Sequence, residues 1–423
     1  MVRRFAFLLA LLVPVAGVAQ LLPPVGAPRL PQIGEVVGGV TRDLGGVADI
    51  RQTTLALARD RLDRIMAMVR DNRTTIALDD KGNAARAGEI LVDDPDDGLI
   101  ADAQGRGFTL IERGTIEGTD ISFARFATPA GHKLPAAIKI MRRIAGKRSV
   151  SADQLHFQSG SSTGLSGQVG PVAKTGTEIM RIGMIDGGVA LAASRARVFR
   201  QGFARGAPGA SNHGSAVASL LVGAGTVRGA APGATIWAAD VYGSDPAGGN
   251  ATAIAKALGW LSAQRVPIVV ISLVGPANPL LARVVQVVQA RGTIIVAAVG
   301  NDGPAAPPSY PASYPGVVAV TGVDGKGRAL IEAGRALHLD YAAPGADMLA
   351  ADASGAPVAV RGTSFAAPFA AARIAHFYGE TAPTKIAAAI NAANREAADL
   401  GKRGPDPHYG RGLLCGGCAT PAR

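Results

Sequence analysis

Only two cysteines occur in 423 residues, Cys415 and Cys418, and both fall in the closing stretch "LLCGGCATPAR". A redox pair of the thioredoxin kind belongs at a strand–helix junction near the front of a domain. A zinc site wants two further ligands, and only His408 is near. The pair therefore reads as a small-loop disulfide, a clasp in the tail of a protein exported to an oxidising compartment. Aromatic residues are scarce at 4%, and the Lys and Arg behind a formal net charge of +11 are scattered, with no long basic run. Nucleic-acid binding needs a clustered footprint, so that partner is excluded and a basic soluble surface remains. Beyond the N-terminus no uninterrupted apolar run reads as a membrane span.

What is present begins with "MVRRFAFLLALLVPVAGVAQ": two arginines, an apolar stretch from Phe5 to Val18, then small residues. That is the layout of a secretory signal over residues 1–19, too short for a stable anchor. No cysteine follows it to carry a lipid, so the mature protein is expected in the periplasm or outside the cell, as a monomer with no membrane anchor. Residues 20–87 hold a Pro/Gly-rich stretch and one amphipathic helix from Val47 to about Arg73. Over 88–160 the pattern runs strand, helix, strand, strand, helix, the start of a split β-α-β unit of the ferredoxin-like kind. The Ser/Gly-rich segment from Ser149 to Thr177 reads as a linker, its later part (161–177) the expected processing region.

From 178 to 414 short Val/Ile/Ala strands alternate with Ala-rich helices, and 415–423 is a tail. Near-continuous apolar strands are buried on both faces, which predicts an α/β fold with a mostly parallel, doubly wound sheet. In such sheets chemistry gathers beyond the carboxyl ends of the strands. Asp186 ends "IGMI", His213 opens "HGSAVASLLVG", Asn301 ends "TIIVAAVG", and Ser364 opens the helix of "GTSFAAP". Singly these are turn and capping residues. Together they supply what acyl transfer by a hydroxyl needs: a nucleophile, a base, a carboxylate to hold the imidazole, and an oxyanion donor. Ser364 would add its own N–H at the positive end of a helix. Pro368 is expected to cost little near the first turn. A nucleotide enzyme is disfavoured, because "GAGTVRG" at Gly223–Gly229 ends a helix instead of following a strand.

These pieces resemble the subtilisin-like (subtilase, S8) serine proteases, which carry Asp, His and Ser in this order. The matches are "IGMIDGGV", "NHGSAVASLLVG", "VVISLVG", "VAAVGNDGP", "LDYAAPGADM" and "GTSFAAP", spread from Ile182 to Pro368. The resemblance implies a triad of Asp186, His213 and Ser364, with Asn301 and the Ser364 amide forming the oxyanion hole. Ser272, Leu273, Val274 and Gly275 would rim the cleft, where a polypeptide substrate adds as a strand. It also implies a zymogen whose 88–160 segment inhibits the enzyme until the chain cuts itself. The chemistry requires no cofactor and no metal. Structural calcium is common in such enzymes, yet the one Asp-rich loop, "VDDPDDG", lies before the catalytic part. The chain departs from the pattern at Gly187 after the acid, Ser215 after His213-Gly214, and Phe365 after the nucleophile. None of these removes a charge or a proton donor. A subtilase-fold binding protein without activity would show a missing triad member, and none is missing.

Overall fold

The central sheet is built from "RIGMID" (β8, Arg181–Asp186), "TIWAAD" (β10, Thr235–Asp240) and "IVVI" (β11, Ile268–Ile271), runs with almost no polar residue to face water. A computed structural model describes residues 47–164 and 180–422. The signal segment, the Pro/Gly-rich stretch up to residue 46 and linker residues 165–179 lie outside the described residues. Four further strands complete the sheet: β9 (Val198–Gly202), β13 (Ile294–Ala298), β14 (Val318–Val323) and β15 (Tyr341–Pro344). The order is β15-β14-β13-β11-β8-β10-β9, and every pairing is parallel. The doubly wound α/β fold read from the strand pattern is the fold observed.

The chain winds from β8 to β10 on one side and then to β11 on the other, so β8 lies where the winding reverses. A crevice opens beyond the strand ends at such a point. Asp186, the last residue of β8, stands in it. On one face lie α4 (Asn212–Val222) and α7 (Thr363–Phe377), which pack on each other and, for α7, on β11, β13, β14 and β15. On the other lie α5 (Ala251–Ala263) and α6 (Pro279–Ala290), whose Leu258, Leu261, Leu281 and Val285 are buried against β11 and β13 residues.

Before this unit the chain forms α1 (Val47–Asp71), β1 (Ile76–Leu78), β2 (Ala84–Asp93), α2 (Asp97–Gly105), β3 (Thr109–Thr115), β4 (Ser122–Ala127), α3 (Leu134–Ala145) and β5 (Val150–Gln154). From β2 to β5 this is the order of a split β-α-β unit, with β4 beside β2 and β3, and β5 on the other side of β2. One face holds its own core, with Ile90, Phe126, Ile138 and Met141. Leu91, Ile116, Ile121 and Phe123 of the other face share a buried cluster with α5 and α6. That burial is the adhesive between the two parts, about 25 cal/mol for each Å² removed from water.

The expected linker from Ser149 differs over its first half. Residues 150–154 are a fully buried strand, and two short strands follow, β6 (Phe157–Gln158) and β7 (Ser161–Gly164). The composition misleads because several polar groups of "VSADQ" find partners on the α/β unit that follows. The Asn278 side chain donates to Gln154 Oε1 (2.7 Å) and the Ala152 carbonyl, and the Thr252 amide donates to Asp153 Oδ1 (2.9 Å). At the far end, Cys415 and Cys418 are joined by a disulfide.

Candidate active site

Asp186 is fully buried, and both its oxygens lie 2.9 Å from His213 Nδ1. The carboxylate also accepts the Gly187 amide (2.6 Å) and the Gln158 side-chain amide (2.9 Å). His213 is held by the start of α4, where the Ser211 hydroxyl caps the helix by accepting from the Gly214 amide at 3.0 Å. Buried Nε2, the far nitrogen of His213, has no hydrogen-bond partner among the described residues. Ser215, where the family pattern has another hydroxyl, accepts the Ala190 amide through its own at 3.0 Å.

Ser364 is the second residue of α7 and is fully buried. Asn301 is tied to the same helix start: its Oδ1 accepts the Thr363 amide (3.0 Å), while the Thr363 hydroxyl donates to the Gly300 carbonyl (3.1 Å). Nδ2 of Asn301 is buried and also without a partner. Gly362 makes this closeness feasible, since a Cβ there would lie 2.6 Å from Asn301 Nδ2 and 2.7 Å from Gly160 Cα. Most buried polar groups in folded proteins are paired, so each of these two asks for an explanation, and a catalytic role is one.

Pro368 lies inside α7, its sixth residue and not in the first turn as expected. It lacks the N–H that would satisfy the Ser364 carbonyl. The Ser272 hydroxyl does so instead at 2.8 Å, and the Ser272 carbonyl accepts from the Ser364 hydroxyl at 3.1 Å. Ser272 thus brackets the nucleophile candidate from both sides. Leu273 and Val274 form β12, which with Gly275 makes the cleft rim.

The cleft is occupied by the protein's own chain. Phe157 and Gln158 pair antiparallel with Val274 and Leu273, and the His156 amide donates to the Gly249 carbonyl at 2.8 Å. Beyond the site β7 pairs antiparallel with β17 (Pro357–Arg361). Between the two strand additions the Ser159 hydroxyl lies 2.6 Å from the Ser364 hydroxyl. Ser364 is therefore engaged by Ser159 and Ser272, and its bond to His213 is not made. Gln158 and Ser159 escaped notice in the sequence because nothing in "HFQSGSS" distinguishes a strand in a cleft from a polar loop.

Beside Ser159 a cavity of about 610 Å³ opens, lined by Val274, Gly275, Asn301 and Asp302 and roofed by α1. Arg61 and Arg64 of α1 pair with Asp302 at 3.2 and 2.5 Å. The amphipathic helix expected from Val47 thus covers the cavity at the cleft. Among the described residues no three His, Cys, Asp or Glu side chains cluster so as to hold a metal ion.

A buried Asp–His pair at the carboxyl end of a doubly wound sheet, in a fold that also carries a buried serine at a helix start, is the set of groups that a hydrolase of the serine type uses. The chain belongs to the subtilase family: the peptidase S8 pattern matches residues 200–412, half of the chain, and it is a subtilisin-like serine protease. Subtilisin DY of Bacillus licheniformis is 29% identical over 248 residues, which cover 56% of this chain and 88% of that protein. Subtilisin E of Bacillus subtilis (strain 168) is 29% identical over 211 residues, 48% of this chain and 54% of that protein. Fervidolysin from Fervidobacterium pennivorans, a keratinolytic enzyme related to subtilisin, superposes with a TM-score of 0.61 at 16% identity. That match covers 78% of this chain and 60% of fervidolysin, and it speaks for the fold alone.

Proposed function

We propose that this chain is a secreted endopeptidase made as a self-processing zymogen, with Asp186, His213 and Ser364 as its triad. His213 takes the Ser364 proton through Nε2 as the hydroxyl attacks a peptide carbonyl, and returns it to the leaving amine. Asp186 holds the ring with Nδ1 inward and stabilises the imidazolium. Asn301 Nδ2 and the Ser364 amide, free of an intrahelical acceptor in the first turn, receive the oxyanion. Water then hydrolyses the acyl-enzyme by the same proton path. The polypeptide substrate lies as a strand along Ser272–Gly275, and the split β-α-β segment inhibits the enzyme by filling that place until it is cut. Export rests on the apolar N-terminal stretch; among the described residues no helix is long and apolar enough to cross a membrane.

The observation that carries this reading is the Asp186–His213 pair with its outward nitrogen unpaired, beside a serine already touching a strand in the cleft. Casein hydrolysis and the size of the secreted band test it. Ser364→Ala should abolish turnover, by a factor on the order of 10⁴ or more, and leave the chain at full precursor length. If the variant matches the parent in both respects, Ser364 is not the nucleophile and the reading of the triad is wrong.

A further inference from the structure

We propose that the bond this enzyme cuts in its own chain is Ser159–Gly160, and that Phe365 favours glycine as the residue following the cut. The inference rests on the proposed function and adds the scissile bond and its selectivity.

The bond is located by register. Gln158 pairs with Leu273, so the next residue, Ser159, falls opposite Ser272, the residue that brackets Ser364. On the other side Ser161 pairs with Arg361, three residues before Ser364. The chain is therefore held by strand pairing on both sides of a single unpaired junction, and the Ser364 hydroxyl is at that junction, 2.6 Å from the hydroxyl of Ser159. A Cβ on Gly362 would be 3.3 Å from the Ser159 carbonyl oxygen and 2.6 Å from Asn301 Nδ2, which puts the unpaired amide and that carbonyl on the same small space. Holding a bond from both flanks is what positions a reacting carbonyl.

The selectivity is steric. A Cβ at position 160 would meet Phe365 Cε2 at 2.5 Å, Cζ at 3.1 Å and Cδ2 at 3.2 Å, and Gly160 has φ +152°. Phe365 is buried, 1% exposed, with Gly160 packed against the edge of its ring. A side chain after the scissile bond therefore needs the Phe365 ring to shift, which favours glycine there.

In the step, Ser364 Oγ bonds to the Ser159 carbonyl carbon while its proton passes to His213. The bond from that carbon to the Gly160 nitrogen breaks, and His213 delivers the proton to the nitrogen as it becomes a new amino terminus. Water attacks the Ser159 ester, His213 takes and returns one proton, and a Ser159 carboxylate leaves with the Ser364 hydroxyl restored.

Two measurements on the full-length chain test this. The first is N-terminal sequencing of the processed product, where the proposal expects Gly160 first, reading GSSTG. A different first residue overturns the bond assignment. The second compares fluorogenic peptides HFQS-Gly and HFQS-Ala, extended identically on both sides. The parent should prefer glycine at least tenfold in kcat/KM, and Phe365→Leu should bring the ratio to within about threefold of one. Because the ratio is taken within one protein, a poorly folded variant still reports. Equal use of both peptides by the parent, or an unchanged ratio in Phe365→Leu, overturns the role of Phe365. If the parent hydrolyses casein only with Ser364 intact yet starts at another residue, the inference fails and the function stands. If casein hydrolysis does not depend on Ser364, both fail.

Discussion

Removing the Ser272 hydroxyl should cost stability only while residue 368 is a proline. In α7 the Ser364 carbonyl would take the amide four residues on, but Pro368 has none, and Ser272 Oγ supplies the bond at 2.8 Å. Both serines are buried, at 1% and 0% exposure, so water cannot replace it. Ser272→Ala in the parent leaves a buried acceptor unsatisfied, worth about 1–3 kcal/mol. In a Pro368→Ala background the alanine amide closes the ordinary helix bond, and the same change should cost about 0.5 kcal/mol or less. The expected coupling is thus about 0.5–3 kcal/mol. It is read from urea midpoints of the four chains of a double-mutant cycle, all carrying Ser364→Ala so that none digests itself; the backbone carbonyl survives that change. Entropic effects of the proline on the unfolded chain cancel around the cycle. A coupling within about 0.5 kcal/mol of zero, the usual error of additivity, refutes the account of how Ser272 and Pro368 hold the nucleophile.

Two further outcomes follow from the strand in the cleft and the helix above it. Burial pushes the His156 imidazole down to about 4, so between the ordinary value near 6.5 and 4 the unfolded chain binds a proton that the folded chain refuses. Stability from this group is lost as pH falls through that window, by about 3 kcal/mol in all. Asp93 and Asp153, each pushed up to about 6 by burial, act in the opposite sense over the same range and stay in place. In the Ser364→Ala chain, His156→Leu should therefore gain on its parent between pH 7 and pH 4 in urea melts, and a difference that does not change with pH would sink this. Asp302→Asn removes the carboxylate that Arg61 and Arg64 share, in partly exposed pairs worth up to about 1 kcal/mol each. Amide exchange in α1 should quicken several-fold while β8 and β11 stay protected; unchanged exchange would mean that Ile65 and Met68 hold the helix by themselves.

Much of the site could be read from residue order because its parts sit at element ends, and element ends have sequence signatures. "IGMID", "NHGSA" and "GTSFAAP" each announce a strand or helix terminus through an apolar run broken by a small or polar residue. The near-continuous apolar strands likewise report burial on both faces. What escaped was whatever depends on a partner far away. β5 reads as a polar linker, yet Asn278 and Thr252, more than ninety residues on, bond to its Gln154 and Asp153 side chains and allow it to be buried. Phe365 reads as a conservative departure until Gly160 is set against its ring. Pro368 reads as harmless by position, whereas it is tolerated through the hydroxyl of Ser272.

Residue order alone determined the class of fold and the family, and pointed to four polar residues at element ends, since hydrophobic period and helix-start chemistry are local properties of a chain. Tertiary structure alone decided that the protein's own strand lies in the cleft, which bond it presents to Ser364, and that Gln158 and Ser159 engage Asp186 and Ser364. Those depend on pairing register and on atoms brought together across two hundred residues, and no spacing along the chain encodes a distance in space.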